Sequence, residues 1–302
     1  MAEDAGTLLI RIRAAMPGLR PSERRIAEAF AADPAAANLS IADLAARCAT
    51  STTSVVRFYR RMGYAHYKDF TIDLTRALAR EELAISGLAE APGDIDRNDS
   101  LAGIVSKVAT NETLSIADTA RSLDLDALAR AVEVVGAARR IDTFGVGASA
   151  LVGLDLQQKL SRIGRTAINW HDAHSAWTSA ATLDGTCVAV AVSHSGATVD
   201  TAEFLAIARR SGAATVAITN VLDSPLARAA DVTLTTAARE TAFRSGALGS
   251  RIAQLMVVDC LFTGVAQASY EASMAALRDT YAVVHTRAVK RGHRWAGDRD
   301  VR

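Results

Sequence analysis

From residue 7 to residue 80 the apolar positions recur every three to four residues, the helical period. Thr7–Met16 stops at Pro17-Gly18. Pro21–Ala32 carries Ile26, Ala29 and Phe30 on one face and stops near Asp33-Pro34; two short helices follow, then a longer one from Tyr67 to about Arg80. Beyond Ser100 the pattern changes. Helical stretches at about Leu101–Ala120 and Leu125–Ala137 lead to short apolar runs near Arg140–Phe144, Thr166–Trp170, Thr186–Val192, Ala214–Thr219 and Asp231–Thr235, separated by helical segments. Strands joined by crossovers of that length run parallel, and a parallel sheet is buried on both faces. The pattern therefore predicts an all-α domain followed by an α/β three-layer domain with a five-stranded parallel sheet. Two further helices, about Ser250–Ala266 and Ser269–Val289, complete it.

Turn formers and charges from Ala91-Pro92-Gly93-Asp94 to Ser100 mark a linker. The expected organisation is a helical unit at 1–82, a linker at 83–100, the α/β unit at 101–290 and a basic tail at 291–302. Over 302 residues, 34 basic and 33 acidic side chains nearly cancel. They are unevenly placed: residues 1–80 hold 12 basic and 8 acidic, which favours a nucleic-acid partner for the helical unit. Cys48, Cys187 and Cys260 are odd in number and far apart, so neither a disulfide framework nor a zinc site is expected. The N-terminus lacks a basic and an apolar leader region, and no apolar stretch approaches about 18 residues, so a cytoplasmic protein without a membrane span is expected.

Within the helical unit, Ser40 precedes Ile41–Cys48, whose positions 41, 44, 45 and 48 form one apolar face, and Ser40 with Asp43 resembles a capping box. After Ala49-Thr50, Ser51 is a second N-cap, and Thr52–Met62 ends at Gly63. Its buried face would be Val55, Phe58, Tyr59 and Met62; its open face Thr52, Thr53, Val56, Arg57, Arg60 and Arg61. Two short helices and a tight turn, the second polar early and basic late, describe a helix-turn-helix. Ser51, Thr52, Thr53 and Arg57 are the candidates for base or nearby phosphate contacts, and Arg60, Arg61 and Lys68 for phosphates. A plain helical hairpin with a solvated basic face gives the same pattern.

In the α/β unit the most telling stretch is Ser193-His194-Ser195-Gly196-Ala197-Thr198, between the buried run Thr186–Val192 and an amphipathic helix at Val199–Arg210. Hydroxyls and a glycine at a strand end, facing the N–H groups and positive dipole of a helix start, favour a phosphate. An ordinary N-cap cluster is the alternative. Gly145-Val146-Gly147-Ala148-Ser149-Ala150 follows the first strand and matches a variant dinucleotide fingerprint. That reading needs an acid after the second strand, where Asp172 is poorly placed; Ser149 instead adds a hydroxyl to the anion site, because adjacent parallel strands deliver their loops to one sheet edge. His171 and His174 form an H-x-x-H without a convincing further ligand set. Glu240 could accept a sugar hydroxyl or act as a base; an exposed structural glutamate is the equal alternative. No cofactor is expected.

Ser40–Ala45 and Ser51–Phe58, with Leu19–Ala27 upstream, resemble the N-terminal domain of the RpiR family of bacterial transcriptional regulators. Phe144–Ser149, Lys159–Gly164, Ser193–Thr198 and Arg244–Arg251 resemble that family's sugar isomerase (SIS) domain, in the family's order over about residues 5–285. The resemblance implies a helix-turn-helix that binds a double-stranded operator and a SIS core that binds a sugar phosphate through Ser149, Ser193, Ser195 and Thr198. With Gly147, His194 and Glu240, these form the candidate ligand set. Two positions depart from the pattern: Ala197 replaces a common charged residue, and Thr50 an apolar turn residue. The expected protein is a regulator, not an enzyme, acting as a homodimer or dimer of dimers, with rearrangement centred on the linker near residues 91–100. A SIS-type aldose–ketose isomerase, using Glu240 with His171 or His174, is the alternative; a nicotinamide enzyme is a third.

Overall fold

The protein is described as a computed structural model covering residues 6–86, 96–240 and 247–285. The first stretch contains α1 (Gly6–Ala15), α2 (Pro21–Ala32), α3 (Ile41–Arg47), α4 (Thr52–Arg61) and α5 (Tyr67–Ser86). Pro21 opens α2, where its missing N–H costs nothing. Phe30, Phe58 and Phe70 meet at the centre with ring centroids 5.8–6.2 Å apart, tilted or edge-on as ring quadrupoles prefer. The expected inner face of α4 is buried at all four positions, Val55, Phe58, Tyr59 and Met62. Ser40 and Ser51 cap α3 and α4, each accepting a backbone N–H three residues on at 3.2 Å. The turn between them places Ala49, not Thr50, in a left-handed conformation at φ 46°, a strain of roughly 1–2 kcal/mol for a residue with a Cβ. Helix α5 runs past the expected end near Arg80 to Ser86, into the segment read as linker.

The second unit opens with α6 (Leu101–Ser122) and α7 (Leu125–Ala137). Then come β1 (Arg140–Gly145), α8 (Ala148–Arg162), β2 (Ala167–Trp170), α9 (Ala173–Ala180), β3 (Cys187–Val192), α10 (Val199–Arg210), β4 (Ala214–Thr219), α11 (Pro225–Ala229) and β5 (Val232–Thr235). Helices α12 (Leu248–Ala268) and α13 (Tyr270–His285) close the described chain. All neighbouring strands pair in parallel, in the order β2-β1-β3-β4-β5. The expected five strands are all present, each within a residue or so of its expected bounds.

Strand β3 shows why its sequence reads as a buried run. Val188, Val190 and Val192 face the layer of α7, α8 and α12, while Ala189 and Ala191 face α9 and α10. Valines fill one core; alanines on the other side leave room for Phe144 and Phe204, whose rings sit 5.6 Å apart. Helix α12 corrects one expectation: by length and composition it is apolar enough to cross a membrane. Here its residues Ala253, Val257, Val258, Leu261 and Val265 fill the first core, so it is a buried helix of the α/β layer.

The part of the linker at 87–95, the basic tail and the end of the last expected helix at Val289 lie outside the described residues. So do Arg244, Ser245 and Gly246 of the motif preceding α12.

Candidate functional site

Strand β1 lies between β2 and β3, so the chain leaves β1 toward one edge of the sheet and continues from β3 toward the other. At such a switch point the loops diverge and leave a crevice at the C-terminal ends of the strands. A cavity of about 190 Å³ lies there, lined by Ser149 after β1, by Ser193, His194, Ser195 and Thr198 after β3, and by Ala247 and Ser250 at the start of α12. Two distant loops that the sequence assigned to one anion site therefore do share one cavity.

The loop after β3 is tightly built. Ser193 and Thr198 place their hydroxyl oxygens 3.1 Å apart, and Ser195 Oγ accepts the Ala197 N–H at 3.2 Å. The His194 carbonyl accepts from Asn220 N–H at 3.0 Å and Thr219 Oγ1 at 3.2 Å. Gly196 has φ +61°, and a Cβ there would stand 2.2 Å from Ser224 Oγ, so only glycine fits. Gly147, also at φ +61°, turns the other loop into α8.

Three helices begin at this cavity: α8 after Gly147, α10 after Thr198 and α12 after Ala247. None has a cap from the side chain of its own N-cap residue. Their neighbours in the same unit do, through Asp124 for α7, Asp172 for α9 and Ser224 for α11. First turns without that cap aim backbone N–H donors and three positive dipole ends at one place, although in α12 the Ser250 N–H is already taken by Glu240.

Glu240 does not line the cavity. Its Oε1 accepts the Ser250 N–H at 2.6 Å, serving the first turn of α12 from one layer behind. His171 and His174 lie exposed after β2 and away from the cavity. Asp172 accepts the Ser175 N–H at 2.8 Å as the cap of α9, and that bond holds its carboxyl below the usual range, so the acid that a nicotinamide site would require is otherwise engaged. The sequence missed Ser250 and Ala247 as wall residues, although a serine in the first turn of a predicted helix was the available signal.

On the helical unit, Thr52, Thr53, Arg57, Arg60 and Arg61 stand together on the exposed side of α4, and Lys68 is exposed on α5. Ser51 turns its hydroxyl inward to Ser54, accepting that residue's N–H. Arg25 was not anticipated: its guanidinium donates to the carbonyls of Cys48 and Ala49 at 2.9 Å each, holding the strained turn.

One carboxylate joins the two units. Asp118 on α6 is 0% exposed and takes Arg121 from its own helix, Arg239 at 2.7 Å from the segment after β5, and Arg13 of α1 at 3.2 Å. The same segment is fastened to α6 by Ala237 N–H to Thr119 Oγ1 and Arg239 N–H to Ser115 Oγ, both 3.0 Å. Arg239 adjoins Glu240, so bonded contacts run from the cavity wall to α1 of the helical unit.

A helix-turn-helix head on a parallel α/β body defines a class of transcriptional regulators. The pattern described as "Helix-turn-helix domain, rpiR family" matches residues 6–81, and that of the SIS domain matches 136–264. An uncharacterized HTH-type transcriptional regulator of Caldanaerobacter subterraneus is 35% identical over 93% of this chain and 98% of its own. The Vibrio vulnificus NanR protein, solved in complex with ManNAc-6P, is 31% identical, covers 94% of this chain and 100% of its own, and superposes with a TM-score of 0.59. The sugar isomerase domain of an RpiR transcription factor from Sphaerobacter thermophilus is 29% identical over 58% of this chain and 97% of its own, with a TM-score of 0.54. The chain belongs to the rpiR family of helix-turn-helix transcriptional regulators.

Proposed function

We propose that the crevice between β1 and β3 binds a sugar phosphate and that its occupancy alters operator binding by the helix-turn-helix. The observation that carries this is the meeting of three helix starts, none capped by its own N-cap side chain, at one hydroxyl-lined cavity. Burying unsatisfied N–H donors is costly, and an anion satisfies them while gaining from the dipoles. Ser149, Ser193, Ser195 and Thr198 donate to the phosphate oxygens; Gly147 and His194 shape the approach. Glu240 acts through the Ser250 amide. The NanR complex with ManNAc-6P supports a phosphorylated sugar as the ligand class.

The isomerase alternative needs a base and an acid at adjacent sugar carbons. Glu240 is committed to Ser250, and His171 and His174 lie elsewhere, which favours sensing over turnover. A ligand shifts DNA affinity only by binding one arrangement of head and body better than another. The contacts from Ser250 through Glu240, Arg239 and Asp118 to Arg13 offer a route for that preference. Thr52, Thr53 and Arg57 read bases, and Arg60, Arg61 and Lys68 hold phosphates. A homodimer would place two heads on a near-palindromic operator, and its setting would be the cytoplasm.

The test is a thermal-shift panel of hexose, pentose and amino-sugar phosphates, ManNAc-6P included, on wild type and Ser195→Ala. A selective binder raises the melting temperature by mass action. The Ser195→Ala protein should bind it more weakly while keeping its DNA affinity. A panel without any stabilising member, or an equal shift in the variant, overturns the reading.

A further inference from the structure

Glu23 lies in the first turn of α2, far in sequence from the helix that carries the DNA-facing cations. It is 4% exposed, unusual for a glutamate. Its Oε2 accepts the Arg20 N–H at 3.2 Å, the local role expected of an acid at that position of a helix. The same carboxylate lies 3.9 Å (Oε1) from Arg57 Nε and 3.6 Å (Oε2) from Arg61 Nη1. Arg57 is also tied through Nη2 to Ser54 Oγ at 3.2 Å, and Ser54 is held by the capping hydroxyl of Ser51. Arg60, between them on the same exposed side of α4, has no carboxylate partner among the described residues. One buried acid therefore singles out two of three neighbouring guanidiniums.

We propose that Glu23 is a positioning residue for DNA reading, fixing the Arg57 and Arg61 guanidiniums and damping their charge so that sequence, rather than charge alone, selects the site. The inference rests on α4 being the reading helix. A guanidinium held by an internal carboxylate keeps its direction and is a poorer partner for an arbitrary phosphate. Direction is what a base edge rewards; undamped charge is what random DNA rewards. Removing the acid should loosen Arg57 and let Arg61 take a phosphate wherever one is offered.

Glu23→Gln isolates this role, because glutamine at the same helix position keeps the capping bond to the Arg20 N–H and loses only the charge. The specific probe is the duplex that wild-type full-length protein enriches from a random-sequence library; the non-specific probe is poly(dI-dC). The variant should melt close to wild type. It should bind poly(dI-dC) several-fold tighter, with a salt slope steeper by about one. The ratio of specific to non-specific affinity should fall by roughly tenfold, the discrimination of one base contact. Combining Glu23→Gln with Arg61→Ala should remove the gain on poly(dI-dC), whereas combining it with Arg60→Ala should leave the gain intact, since additivity fails only for groups in contact. An unchanged ratio and slope, or an equal loss on both probes with a lower melting temperature, would overturn the proposal. Failure of wild type to enrich any duplex would instead sink the reading of α4 itself.

Discussion

Asp118→Asn tests the junction between head and body. The native carboxylate has no exposure and serves three guanidiniums; the amide keeps the shape but loses the charge. Breaking a buried ion network by removing one partner costs about 3–5 kcal/mol, because the other charges stay buried. Here the arginines differ. Arg13 and Arg121 are 35% and 41% exposed and can turn to water, while Arg239 is 11% exposed and cannot. The loss should therefore sit near the lower end, roughly 3 kcal/mol. For a unit of this size that corresponds to a fall of about 6–12 °C in melting temperature. Arg239→Met should cost nearly as much. Arg13→Met, removing a half-solvated partner, should cost no more than about 1 kcal/mol. Differential scanning fluorimetry with parallel urea titrations measures all three. An Asp118→Asn protein melting with wild type, or an Arg13→Met as damaged as Arg239→Met, would refute the assignment of Asp118 as a buried hub.

Gly196→Ala should cost about 2–4 kcal/mol, from the left-handed backbone and the overlap with Ser224, and should weaken sugar-phosphate binding; a loss under about 1 kcal/mol in urea titration would contradict the packing. Arg60→Ala should weaken binding to all DNA sequences alike and flatten the salt slope by about one, so a loss confined to the selected duplex would assign Arg60 to a base instead. The Asp184 carboxyl is drawn down to about 2 by the Thr186 hydroxyl, the Thr186 N–H and the Cys187 thiol. Its folded value lies below its unfolded one, so its stabilisation is present above about pH 4 and disappears as the pH falls through 2. Wild type should accordingly exceed Asp184→Asn in urea stability at pH 7 and converge with it near pH 2; a constant gap would refute this.

Hydrophobic spacing made most of the fold legible. The five strands stand out because a parallel strand buried on both faces has no polar alternation, as Cys187–Val192 shows. The inner face of α4 was legible because Val55, Phe58, Tyr59 and Met62 keep a helical period. The two hydroxyl-bearing loops were legible because each follows such a strand. What stayed hidden depends on distances between elements. Asp118 and Glu23 look like ordinary helix acids until the partners from other elements arrive. Glu240 reads as a possible ligand for a sugar, and only the fold shows its carboxylate spent on the Ser250 amide. Ser250 was hidden because α12 reaches the crevice from after the last strand, beyond the loops that the strand order brings together. The end of α5 was misjudged because Glu81, Glu82 and Leu83 continue a good helix composition that no breaker interrupts before Ser86.

The Asp118 junction and the outer side of α4 are both ionic, yet ionic strength treats them differently. Guanidiniums open to solvent surrender their hold on DNA as counterions crowd in, whereas a carboxylate with no water around it is screened far less. A salt concentration that strips the protein from DNA therefore leaves the Asp118–Arg239 pair inside the α/β unit fastened, while the bridge to the 35% exposed Arg13 of α1 weakens with it. A jump in salt will thus loosen the head's grip on DNA and its tie to the body together, while the inner pair keeps the body in shape.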